Sequence, residues 1–232
     1  FTYQEMLKMG LDTVWKQPIM VKNWKRGSAE QGRILSEYYG NTTIPVCALG
    51  LSIGTGEIGL SAEVIMVMDF EELEAKQSEV AGKVVFFNRH MDQHLIGTFS
   101  AYGGAVNQRS RGPALAAKYG ALACLVRSQS PELDDFPHTG VTRFEEGERQ
   151  IPAFAISTNG AEVLGQQLKE DPQLRVFLKS TCQLYPDVPS HNVIGEIVGS
   201  TFPDEIISVG GHLDAWDNSE GAHDDGAGCI QA

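Results

Sequence analysis

Residues 205–228 read EIISVGGHLDAWDNSEGAHDDGAG: an apolar run ending in paired glycines, a loop rich in acids and histidines, then Asp-Asp-Gly-Ala-Gly. Ile206, Ile207 and Val209 give the run a strand pattern, and the glycine-rich segment after Asp224 and Asp225 reads as the opening of a helix. This order predicts an α/β unit in which the strand EIISVGG delivers His212 at its carboxyl end, the end at which open α/β sheets bind ligands. Asp224 and Asp225 then lie at the positive end of the helix, where carboxylates are stabilised. Only Ala227–Ala232 remain for that helix, so the C-terminus is expected to be a cut end.

Upstream, the same α/β alternation continues. Short β-rich runs recur at AEVIMVM (62–68), GKVVFFNR (82–89), GALACLVRS (120–128), IPAFAIS (151–157) and LRVFLKSTCQLY (174–185). In the last, Val176, Leu178, Cys182 and Leu184 alternate with polar residues, the period of a half-buried strand. Two helices are predicted between them. GPALAAKYG (112–120) has Pro113 in its first turn and Gly120 past its end, and TNGAEVLGQQLKED (158–171) is capped by Thr158 or Asn159 and stops before Pro172. Near the N-terminus, Met6, Leu7, Gly10, Leu11 and Val14 predict a helix over 3–16 that Pro18 ends, followed by the strand IMVKNWKRG. YPDVPS at 185–190 reads as a break, with the strand HNVIGEIVG after it. The expected segments are therefore 1–39, 40–186 and 187–232.

Composition bounds the function. The 232 residues are 42% hydrophobic, enough for a sizeable core, and carry a net charge of -12 with no basic run. That charge argues against nucleic acid and anionic lipid as partners. No stretch of about 18 apolar residues spans a bilayer, and the opening FTYQEMLKMG lacks the regions of a signal peptide, so the start reads as a mature or trimmed end. Cys47, Cys124, Cys182 and Cys229 are widely spaced, which indicates neither a zinc knuckle nor a disulfide framework.

A divalent metal such as zinc takes neutral imidazole nitrogen and carboxylate oxygen, and His212 and Asp224 supply one of each. Two residues apart on a strand, His212 and Asp214 point to one side, so Asp214 is placed to accept the second ring proton and fix the tautomer. Separately, His-X-Asp is readily a chance pair and Asp-Asp-Gly a helix cap; together they are far more specific.

His212-Leu-Asp214, a loop, then Asp224-Asp225-Gly226-Ala-Gly228 resembles the first half of the metal site of the M28 zinc aminopeptidase and carboxypeptidase family. HLDAWD, IPAFAIS, SHNVIGEI, PHTG at 137–140 and AEVIMVMDFEEL extend the resemblance over nearly the whole chain, towards a secreted carboxypeptidase branch. The resemblance implies a β-rich α/β protease-associated domain, residues 40–186, inserted into a partial M28 α/β peptidase domain formed by 1–39 and 187–232. It implies two zinc ions, with His212 a ligand of one, Asp224 bridging both and Asp214 acting catalytically by orienting His212. Asp225 matches the second acid of the pair, read as a helix cap or as support behind the ligands. It further implies hydrolysis of dipeptides or short peptides, a secreted or other extracytoplasmic location, and a homodimer. The family pattern continues after the Asp-Asp pair with a Glu-Glu pair, a further acidic ligand and a final histidine, none of which follows Asp225 in these 232 residues; this segment alone is expected to be inactive and to bind metal weakly.

Other residues carry their own expectations. His223 precedes Asp224 but points away from it as a turn neighbour. His90 and His94 have helical ligand spacing but lie in a loop, which favours a surface pair. PHTG either leans towards a cleft or is a turn. Trp216 either walls a substrate pocket or packs as core. Asn41-Thr42-Thr43 fits the N-glycosylation sequon, and Cys124 reads as a buried small hydrophobe. Two other functions fit part of the pattern: a non-catalytic binding module that has lost its metals, and a metal-dependent phosphoesterase, which leaves the long β-rich segment unexplained.

Overall fold

Apolar runs of four to eight residues, punctuated by glycine and polar turns, produce a sheet whose central strands are covered on both faces. The computed structural model describes all of residues 1–232. They divide into two units, Trp24–Leu184 and Phe1–Asn23 with Tyr185–Ala232. In chain order the elements are α1 (Thr2–Met6), β1 (Thr13–Lys25), β2 (Gln31–Ser36), β3 (Gly40–Thr43), β4 (Val46–Ala48), β5 (Leu60–Val67), α2 (Phe70–Ala75), α3 (Gln77–Val80) and β6 (Val84–Phe87). There follow α4 (Thr98–Ala105), α5 (Asn107–Ser110), α6 (Gly112–Lys118), β7 (Ala123–Arg127), β8 (Ala153–Ile156), α7 (Thr158–Glu170), β9 (Arg175–Lys179), β10 (Gln183–Glu196) and α8 (Gly226–Gln231).

The larger unit is built on an eight-stranded mixed sheet of order β3-β2-β9-β5-β6-β7-β8-β4. Strands β5 to β8 run parallel, with Val64 opposite Val84, Val84 opposite Ala123 and Cys124 opposite Ala153. Antiparallel strands flank them on both sides. Alternation sorts their side chains: Val84, Phe86, Leu125, Phe154 and Ile156 pack with Ala161 and Leu164 of α7. Val85, Phe87, Cys124, Val126 and Ala155 pack on the other face with Leu73, Val80, Ala116 and Ala117 of the α2, α3 and α6 layer. Because both faces are dry, these strands read as unbroken apolar runs rather than alternating ones.

The predicted strands at 62–68, 82–89, 120–128 and 151–157 are present, as are both helices. Gly120 takes φ +89 just beyond α6, the left-handed conformation that ends helices. The cap of α7 is Ser157, not Thr158 or Asn159; its Oγ accepts from the Gly160 N–H at 3.0 Å. Strand β2, which the sequence reading left in the entry segment 1–39, pairs inside this unit between β3 and β9, with Ile34 fully buried. No disulfide forms: Cys47, Cys124 and Cys182 are buried, and Cys229 is half-buried. Burial pushes the Cys124 thiol pKa strongly upward.

The smaller unit departs further from expectation. The helix predicted over 3–16 is confined to α1, because Gly10 adopts φ +78 and Thr13 onward is drawn into a ribbon with β10. The expected break at 185–190 lies within β10, and Pro18 lies within β1. A two-stranded ribbon leaves some N–H groups on its outer edges without partners, so proline costs little there. Asp12 N–H donates to the Glu196 carbonyl, and Lys22 pairs with Asp187, so the two strands run antiparallel. The strand predicted at EIISVGG does not form: Ile206, Ile207 and Val209 are 83%, 93% and 75% exposed, and no neighbouring strand pairs with them.

Phe86 is fully buried at the centre of the sheet. Phe86→Ala is expected to destabilise the larger unit by about 3–5 kcal/mol in urea denaturation, whereas Met68→Ala, at an exposed position, changes stability by about 0.5 kcal/mol or less.

Candidate metal centre

His212, Asp214, Asp224 and Asp225 come together around the start of α8. Asp224 and Asp225 are joined by a cis peptide bond. His212 Nε2 lies 2.9 Å from Asp224 Oδ1. On the other side of the ring, Nδ1 lies 2.9 Å from the Asp214 main-chain carbonyl, and the Asp214 carboxylate is farther, at 3.3 Å. The ring is thus oriented first by the backbone of residue 214 and only second by its side chain. With an acceptor at each ring nitrogen, the protonated imidazole is favoured. Its pKa is raised, chiefly by the Asp214 carbonyl; desolvation opposes this, and the hydrogen bond to Asp224 adds to the rise.

Asp225, for which the sequence left a capping or a supporting role, makes no side-chain cap on α8. Its Oδ2 instead accepts the main-chain N–H of His212 at 3.1 Å, fastening the histidine segment to the helix start. Cys229, one turn into the helix, donates its thiol to the His212 carbonyl at 3.2 Å. Glycines make room for this: a Cβ at Gly211 would lie 2.6 Å from the Cys229 nitrogen, and one at Gly228 would press on the Asp225 carboxylate. These two attachments were missed in the sequence, where the only signal was glycine on both sides of the acids.

The pair fits a metal in donor chemistry and spacing. Ligands at zinc distances of about 2.0–2.1 Å in a tetrahedron stand about 3.3 Å apart, close to the 2.9 Å between His212 Nε2 and Asp224 Oδ1. A histidine that binds through one nitrogen while the other is held by a carbonyl is the usual arrangement behind a metal. The pair is open to solvent, however, with side chains 52% and 80% exposed, and no group of three or more His, Cys, Asp or Glu side chains converges to hold an ion.

His223 is exposed. His90 faces Glu162 at 3.6 Å, and His94 lies in a turn where its N–H donates to Asp92, so the two histidines share no site. The 137–140 loop is pinned within the larger unit, His138 N–H donating to Ser128 Oγ at 2.8 Å and Arg26 donating to Thr139 Oγ1 at 3.1 Å. Trp216 is 42% exposed and its carbonyl closes a turn with Ser219.

Residues 192–232 match the family model for Peptidase family M28. Human carboxypeptidase Q is 36% identical over 228 residues, covering 98% of this chain and 46% of that protein. The crystal structure of a peptidase M28 precursor from Shewanella amazonensis superposes with a TM-score of 0.88 at 36% identity, covering 97% of this chain and 50% of that one. A zinc aminopeptidase from Bacillus subtilis shares the fold alone, with a TM-score of 0.56 at 20% identity over 98% of this chain and 47% of its own. The chain spans about half the length of the relatives it matches.

Asp225→Ala removes a charge-assisted bond to the His212 amide, so that amide is expected to exchange its hydrogen about tenfold faster or more in NMR-detected exchange. Asp225→Asn keeps an acceptor and is expected to fall between the two.

Proposed function

The chain belongs to peptidase family M28, and on that premise we propose that it is part of a di-zinc exopeptidase that releases residues from dipeptides or short peptides. The observation that carries this reading is the His212–Asp224 pair, with donor atoms 2.9 Å apart and the ring held from behind at Asp214. On this reading His212 and Asp224 would hold metal, Asp224 would serve both ions, and Asp214 would be a positioning residue. Zinc bound there supplies Lewis acidity to the scissile carbonyl. Asp225 holds the main chain of His212 against the helix start.

The reading includes residues 40–186 as a protease-associated domain, an extracytoplasmic location and a homodimeric assembly; sequence resemblance supports these. No helix is long and apolar enough to cross a membrane. A second reading, a non-catalytic binding module, is favoured for the 232 residues in isolation by the exposure of the pair and by its two-donor count. Two ligands are fewer than the three or four protein groups zinc sites use, so these residues alone bind metal weakly and are inactive.

Zinc titration by calorimetry is expected to give weak binding to the chain, lost in His212→Ala and in Asp224→Asn. Asp214→Asn keeps the carbonyl that holds Nδ1 and is expected to weaken binding by less than the roughly tenfold or more typical of losing a supporting group. For the complete gene product, zinc content and dipeptide hydrolysis are expected together; an absence of both is the outcome that defeats the peptidase reading.

A further inference from the structure

Asn41-Thr42-Thr43 is the only Asn-X-Ser/Thr sequence in the chain, and the fold sets it on an outer margin. It lies on β3, the last strand of the eight-stranded sheet, which pairs with β2 alone. In that ladder Thr42 is opposite the fully buried Ile34 and is half-buried, while Asn41 and Thr43 are exposed. Side chains two apart on a strand share a face. The amide and the hydroxyl that define the sequon therefore both project into solvent from one side of the strand. Just ahead of them the turn into β3 carries Tyr38 and Tyr39, 78% and 43% exposed, and Gly40 at φ +71. Two accessible ring faces thus adjoin the acceptor, surfaces suited to the apolar C–H face of a sugar.

We propose that Asn41 is an acceptor for one N-linked glycan. In the transfer, Asn41 Nδ2 forms a bond to the anomeric carbon of a lipid-diphosphate oligosaccharide. The bond from that carbon to the diphosphate oxygen breaks, the lipid diphosphate leaves with the electron pair, and the amide gives up one proton. The folded chain accepts the product because Asn41 and Thr43 are both exposed on this face of β3. A solvated sugar there also screens an edge strand of the kind that otherwise invites pairing with another chain. This goes beyond the peptidase reading and rests only on the extracytoplasmic location that the reading includes; the site is on a different unit and is read by mass, so its failure is distinguishable from failure of the peptidase reading.

The test is to secrete the 232-residue chain from yeast behind a cleavable leader and to weigh it before and after peptide-N-glycosidase. The expected result is a single glycan on the wild type, absent from Asn41→Gln and from Thr43→Ala, and retained by Thr43→Ser. Thr43→Ala keeps Asn41 itself, so it separates loss of the sequon from any effect of replacing the asparagine. Peptide mapping after enzymatic release is expected to show Asp at position 41. Secreted wild-type chain of unmodified mass overturns the proposal, as does a glycan that survives in Thr43→Ala.

Discussion

Backbone hydrogen-bonding groups that are taken out of water must find partners, and this requirement separates the two units of the chain. Strands β5 to β8 meet it through a parallel ladder and cover both faces with helices, so Val84–Phe87 and Ala123–Arg127 are buried throughout. The segment EIISVGG has comparable apolar character, yet no strand lies alongside it and it remains without regular structure. Composition decides which segments suit a dry environment. Neighbours decide whether a strand results.

The same contrast sets the character of the candidate metal centre. Its donors are assembled by local means: a carbonyl two residues away, a carboxylate at the start of the next helix, and two main-chain tethers from α8. None of these depends on a buried core. Water competes with each, and the electrostatic attraction between His212 and Asp224 is correspondingly screened. Main-chain anchoring by Asp225 and Cys229 compensates in part, because it fixes the histidine backbone independently of the ring.

Much of the larger unit was legible because its code is short-range. Unbroken runs such as VVFF and ACLVR announce strands covered on both sides, and Pro113 with Gly120 marks the limits of α6. The ribbon of β1 and β10 was legible only in part: IMVKNWKRG and HNVIGEIVG read as strands and lie largely within it, but helical spacing before the first and prolines in both hid its full extent. What decides it is a partner 184 residues away in sequence, with Asp12 meeting Glu196. At the site, the residue types at 212, 214 and 224 pointed to metal chemistry from the sequence. The preference of Nδ1 for the Asp214 carbonyl and the attachment of Asp225 to an amide required coordinates, because side-chain spacing says nothing about which main-chain atoms are within reach.

The cysteines bear on where such a chain is able to fold. Thiolate, not thiol, attacks oxidants and disulfides, and burial holds the Cys124 sulfur in its protonated form. With Cys47 and Cys182 also inside the sheet unit and no crosslink contributing to it, that unit is held by packing and its hydrogen-bonded ladder rather than by a covalent bridge. The sheet unit is thus not held by a covalent link, and its folded form does not wait on sulfur oxidation.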